Sequence, residues 1–114
     1  MSCEVFNNSD FGMIAGCQQT LDVDLYDVLD TEYRIAVLSC EWRLAKYGET
    51  EALATESMTK GTVTVKDNLI QITIPPYDTQ NLFGKFTHQL IIVDNSGDQF
   101  VVDLGKISIK PMIK

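Results

Sequence analysis

The sequence predicts an all-β domain built as an antiparallel sandwich of about seven to eight short strands. Three observations carry that prediction. Apolar and polar residues alternate with period two along most of the chain, which gives each strand one dry flank and one wet flank. Turn-forming residues punctuate the alternating runs, at Asp67-Asn68, Pro75-Pro76 and Asp94-Asn95-Ser96-Gly97. The chain has 114 residues and 45% hydrophobic content, enough for one ordinary core, so residues 1–114 are read as a single domain.

Residues 1–18 are read as an irregular N-terminal segment. The first alternating run follows, with Leu21, Val23 and Leu25 between Asp22, Asp24 and Tyr26. Residues 31–47 admit two readings. Tyr33, Val37, Cys40, Leu44 and Tyr47 fall at helical spacing between Thr31 and Gly48, but Ala36, Leu38, Cys40, Trp42 and Leu44 also alternate. Strand is preferred because the rest of the chain is β with short connections. The polar stretch 48–61, interrupted by Ala52-Leu53-Ala54, fits a weak edge strand or a loop.

Val63 and Val65 alternate with threonines and Lys66, and Ile70, Ile72 and Ile74 with Gln71 and Thr73; Asp67-Asn68 between them suits a two-residue hairpin turn. Pro75-Pro76 ends that ladder because proline has no N–H to donate. Tyr77 to Leu82, followed by Gly84, suits one helical turn closed by glycine. Phe86, His88, Leu90 and Ile92 then share a face, and Phe100, Val102 and Leu104 return after the Asp94–Gly97 loop. Gly105 is expected to interrupt this strand as a bulge before Ile107 and Ile109 resume the pattern. Some seven strands with Trp42 in the middle satisfy the immunoglobulin-like arrangement, and the missing cysteine pair of antibody domains restricts the match to architecture.

From residue 40 to 109 the order of pieces is more particular. It runs Cys40-Glu41-Trp42-Arg43-Leu44, then Gly61-Thr62-Val63-Thr64-Val65, then Leu69 through Pro75-Pro76-Tyr77-Asp78-Thr79-Gln80-Asn81-Leu82. After these come Gly84-Lys85-Phe86, Gln89 to Asp94, Ser96-Gly97 and Gly105-Lys106-Ile107-Ser108-Ile109. This series resembles the immunoglobulin-like sandwich domains of tailed phages and prophages, notably the N-terminal domains of baseplate upper proteins and related tail or fibre components. The resemblance implies a structural part of a virion, with no enzymatic activity, no cofactor, and other virion proteins or further copies of itself as partners. It also implies assembly in the bacterial cytoplasm. The opening Met-Ser-Cys-Glu lacks the basic and apolar regions of a secretion signal, which agrees with that expectation.

Composition narrows the partners. Nine basic against sixteen acidic residues give a formal charge of −7, a field that repels nucleic acid and anionic membrane surfaces. No run approaches the ~20 apolar residues of a membrane span. Cys3, Cys17 and Cys40 form an odd set without a C-x-x-C pair, which fits neither a disulfide framework nor a zinc site. Asp22, Asp24, Asp27 and Asp30 supply carboxylates, but the central glycine and closing glutamate of a calcium loop are missing, so a solvated strand face and turn account for them. His88, the only histidine, sits on an apolar face without a nucleophile motif, and the glycines are scattered at turns rather than gathered into a phosphate loop. No catalytic, cofactor or metal residue is therefore expected.

Two surface features remain. Ile91 and Val93 point away from Leu90 and Ile92, so one strand is apolar on both faces and is the candidate for subunit contact. The alternative function is a carbohydrate- or cell-surface-binding module, for which Tyr33, Tyr47, Tyr77 and Phe83 are the candidate stacking rings. That alternative requires two or more of the rings in one exposed groove.

Overall fold

The computed structural model describes residues 10–24, 37–66, 69–94 and 96–113. Among the described residues, eight strands and one short helix follow in order: β1 Phe11–Ile14, β2 Gln19–Asp24, β3 Val37–Lys46, β4 Ala52–Ser57, β5 Val63–Lys66, β6 Leu69–Ile74, α1 Pro76–Thr79, β7 Gly84–Asp94 and β8 Gln99–Lys110. They form a five-stranded sheet, β1-β8-β7-β3-β4, and a three-stranded sheet, β2-β6-β5. All pairings are antiparallel except that of β1 with β8, which is parallel. The domain is an immunoglobulin-like sandwich. β3, β7 and β8 take the places of the central strands of one sheet, with β4 added outside β3, and β2, β6 and β5 make the other sheet.

Alternation accounts for the core. Trp42, Leu44, Leu90 and Ile92 from the larger sheet meet Ile70, Ile72 and Ile74 from the smaller one, and all of them are fully buried. Each aliphatic side chain hidden in this way contributes roughly 1.5–3 kcal/mol relative to exposure. Val37–Lys46 is a strand, so the helical spacing of Cys40, Leu44 and Tyr47 does not decide the conformation; Tyr33, Thr31 and Ala36 lie outside the described residues. Residues 52–57 form the edge strand that the polar stretch allowed. Lys66 pairs with Leu69, leaving the two-residue connection expected of Asp67-Asn68, which themselves lie outside the described residues.

Two expectations need correction. The segment 1–18 is not wholly irregular, because Phe11–Ile14 pair in register with Ile107–Lys110 and bury Met13. Four residues are too short an alternation to stand out from sequence, and a parallel partner nearly a hundred positions away gives no local signal. Gly105 is not the bulge; it stands in register opposite His88. The shift falls between the pairs Leu90–Asp103 and Ile91–Val101, which leaves Val102 as the extra residue. Val102 is fully buried, and beyond it the alternation changes phase, so Leu104 pairs with Gln89 on the outer face instead of continuing the face of Phe100.

Candidate functional site: the outer face of the five-stranded sheet

The side of the larger sheet turned away from the core is built by every second residue of β3, β7 and β8. Across it, Ile91 lies between Glu41 and Val101, Gln89 between Arg43 and Leu104, and Thr87 between Ala45 and Lys106. The face is therefore apolar around Ile91 and polar towards Thr87. Ile91 and Val93 stand where alternation places them, with Ile91 9% exposed and Val93 half-buried. Arg43 donates two hydrogen bonds to Glu41 Oε2, at 3.0 and 2.6 Å, but an exposed ion pair of this kind adds little stability.

Beyond Thr87 the face sinks into a groove of about 440 Å³ lined by Tyr47, Lys85, Lys106, Ser108, Gly12 and Phe11. A second depression of about 390 Å³ over Thr87, Gln89 and Leu104 shares Asp10 and Lys106 with it. Asp10 Oδ1 accepts the backbone N–H of Lys106 at 2.8 Å, which ties the chain before β1 to β8. The Lys106 ammonium lies 5.6 Å from the centre of the Tyr47 ring, a cation–π contact. Of the four candidate rings, Tyr47 lines this groove; Tyr77 and Phe83 are exposed at 62% and 73% but do not line it, and Tyr33 lies outside the described residues. Of the three candidate rings among the described residues, the structure thus brings one, Tyr47, into the groove.

The inner residues singled out from the sequence are structural. His88 is buried, with Nδ1 accepting the indole N–H of Trp42 at 3.1 Å and its ring edge-on to Phe11 at 5.1 Å. An acceptor Nδ1 requires a neutral ring with its proton on Nε2. Cys40 is a free, buried thiol, and burial, with the neighbouring Glu41 carboxylate, pushes it up to about 12, which keeps it protonated and unreactive. Cys17 is free and exposed, and Cys3 lies outside the described residues. Asp22 accepts a hydrogen bond from Gln71 at 3.2 Å across the β2–β6 pair, while Asp27 and Asp30 lie outside the described residues. Among the described residues, no three His, Cys, Asp or Glu side chains gather in a metal-binding arrangement.

One polar cluster escaped the sequence reading. Glu56, on the inner side of β4, exposes none of its surface, and Lys60 Nζ lies 3.2 Å from its Oε1 and 3.6 Å from Asp78 Oδ2. The available signal was a glutamate two residues after Ala54, at an inward position of an alternating segment.

No protein-family description matches the sequence, and no curated protein matches it either. Solved structures do match in shape. InlP of Listeria monocytogenes gives a TM-score of 0.57 at 12% identity, over 95% of this chain and 28% of that one. The fibronectin(III)-like modules of CbhA from Clostridium thermocellum give 0.52 at 10% identity, over 93% and 92%. CopC from Methylosinus trichosporium gives 0.53 at 5% identity, over 90% and 85%. The chain spans little more than a quarter of InlP but nearly the whole of the CbhA module. At such identities the likeness concerns shape alone, and the shape is that of an immunoglobulin- or fibronectin-like β-sandwich.

Proposed function

We propose that this domain is a non-enzymatic structural or adaptor module of a phage or prophage particle, in a tail, baseplate or fibre. It acts through contacts with other virion proteins or with its own copies. The observation that carries this reading is the apolar stretch of Ile91, Val93 and Val101 on the outer side of a sheet whose inner side already holds the core. Ile91 and Val101 are already buried within the chain, so half-buried Val93 and the rim around it are what a neighbour would still cover, and repeated subunits of a particle provide such neighbours. The resemblance of residues 40–109 to phage sandwich domains supplies the particle.

Light scattering on a size-exclusion column, run over a concentration series, tests the contact. The wild-type mass is expected to rise with concentration, and Val93→Lys, at the half-buried position, is expected to keep the chain monomeric without unfolding it. Ile91→Lys is the harsher variant and is read alongside a circular dichroism spectrum. A monomer at every concentration, indifferent to both substitutions, contradicts self-association as the mode of action. A carbohydrate-binding role is the second reading and is favoured by the groove beside Tyr47. It needs an aromatic platform, and Lys106 already lies over the Tyr47 ring.

A further inference from the structure

The two edges of the five-stranded sheet are β1 and β4, and the turn that follows each is tied to the same short helix. After β1, Gly16 takes a backbone φ of 78° and donates its N–H to Thr79 Oγ1 at 3.1 Å, with Thr79 fully buried. After β4, Lys60 reaches Asp78 on α1 and Glu56 on β4 together, and also donates to the carbonyl of Thr55 at 2.9 Å. α1 therefore fastens both edges. The fastening at β4 is ionic and the one at β1 is not.

Among the described residues, the groups facing Glu56 are few. Lys60 comes from the turn and Asp78 from α1, and Tyr77 acts on Lys60 from the same helix. Trp42, opposite Glu56 in the ladder, carries no charge, and β6 presents Ile70, Ile72 and Ile74 to the interior. Both oxygens of Glu56 and Oδ2 of Asp78 are buried without a well-formed hydrogen bond. With both carboxyls ionised, one partly exposed ammonium faces two negative charges, of which that of Glu56 is wholly buried, an arrangement that a single proton on Glu56 relieves.

We propose that Glu56, Asp78 and Lys60 form a proton-operated clasp that fastens edge strand β4 and its following turn to α1, closed in acidic solution and loosened above neutrality. Burial first, and then the Asp78 carboxyl, lift Glu56 from the usual carboxylate range to about 7, while Lys60 opposes the rise. Burial would lower Lys60, but Glu56 and Asp78 outweigh it and hold the ammonium above its ordinary value, so it stays charged throughout this range. A glutamate raised in the folded state stabilises the fold fully below its ordinary value near 4.5, and the contribution is lost as pH climbs through about 7.

A carbon-13 titration of the side-chain carboxyls in the wild-type protein tests the clasp directly. Glu56 is expected to titrate with a midpoint near 7, and the Asp78 carboxyl and Lys60 resonances are expected to move at the same pH. Thermal unfolding reads the consequence: from pH 5 to pH 8 the wild type is expected to lose about 5 °C of melting temperature more than Glu56→Gln, whose neutral amide mimics the protonated state. Lys60→Met is expected to move the Glu56 midpoint higher still. A Glu56 midpoint below about 5 overturns the proposal, as do identical pH profiles for the wild type and Glu56→Gln.

Discussion

Replacing Trp42 by alanine is expected to cost the domain about 3–5 kcal/mol, the range for emptying a fully buried indole site. Domains of this size hold about 5–15 kcal/mol in total, so the variant should be partly unfolded near physiological temperature. Trp42 is expensive for two separate reasons. Its ring fills the centre of the sandwich between β3 and the isoleucines of β6, and its N–H satisfies His88 Nδ1 at 3.1 Å. Trp42→Phe separates the two, because it keeps most of the volume and removes the donor. It is expected to cost about 1–3 kcal/mol, the penalty for an acceptor deprived of its buried donor. Urea denaturation of Trp42→Phe, His88→Leu and the double variant should show a coupling of about 1 kcal/mol between the two residues. Strict additivity would mean that the hydrogen bond contributes nothing.

Asp94→Ala is the second large effect expected, at about 2 kcal/mol. Asp94 is buried at the end of β7, and its Oδ1 accepts the backbone N–H groups of Ser96 at 2.9 Å and Asp98 at 3.0 Å. The main chain completes the loop, with Asp98 O accepting from Asp94 N and Asp94 O from Gly97 N, each at 3.0 Å. Gly97, at a φ of 85°, occupies the left-handed region that a side chain would strain. Alanine leaves two backbone donors without their acceptor, whereas asparagine retains one suitable oxygen and is expected to lose about half as much. The comparison of Asp94→Ala with Asp94→Asn by chemical denaturation checks this, and equal costs would show that charge rather than acceptor geometry holds the loop.

These two residues show where sequence reasoning reaches. Trp42 was legible because it stands on an alternating strand flanked by Cys40 and Leu44, and the Asp94–Gly97 loop was legible because its residues belong to tight turns. His88 was placed on the correct face for the same reason. What alternation does not contain is pairing at a distance. The parallel seam of β1 with β8, the phase change at Val102 and the tie of Gly16 to Thr79 all depend on residues far apart in the chain. The Glu56 cluster was hidden in another way: Lys60 falls in the polar stretch 48–61 and Asp78 in the helical turn, and only the closure of β4 against α1 brings them together. The outer face of β7 was foreseen from Ile91 and Val93, but the groove beside Tyr47 was not, since its walls come from four separate elements.

In this two-sheet sandwich the first described strand joins the larger sheet beside the last strand, while the second joins the smaller sheet. Backbone nuclear Overhauser effects between β1 and β8 test this arrangement most directly. Cross-strand contacts are expected from Phe11 to Ile107 and from Met13 to Ile109, advancing together along both strands. Contacts running the opposite way, from Phe11 to Ile109 and from Met13 to Ile107, or a β1 found beside Leu69–Ile74, would contradict it.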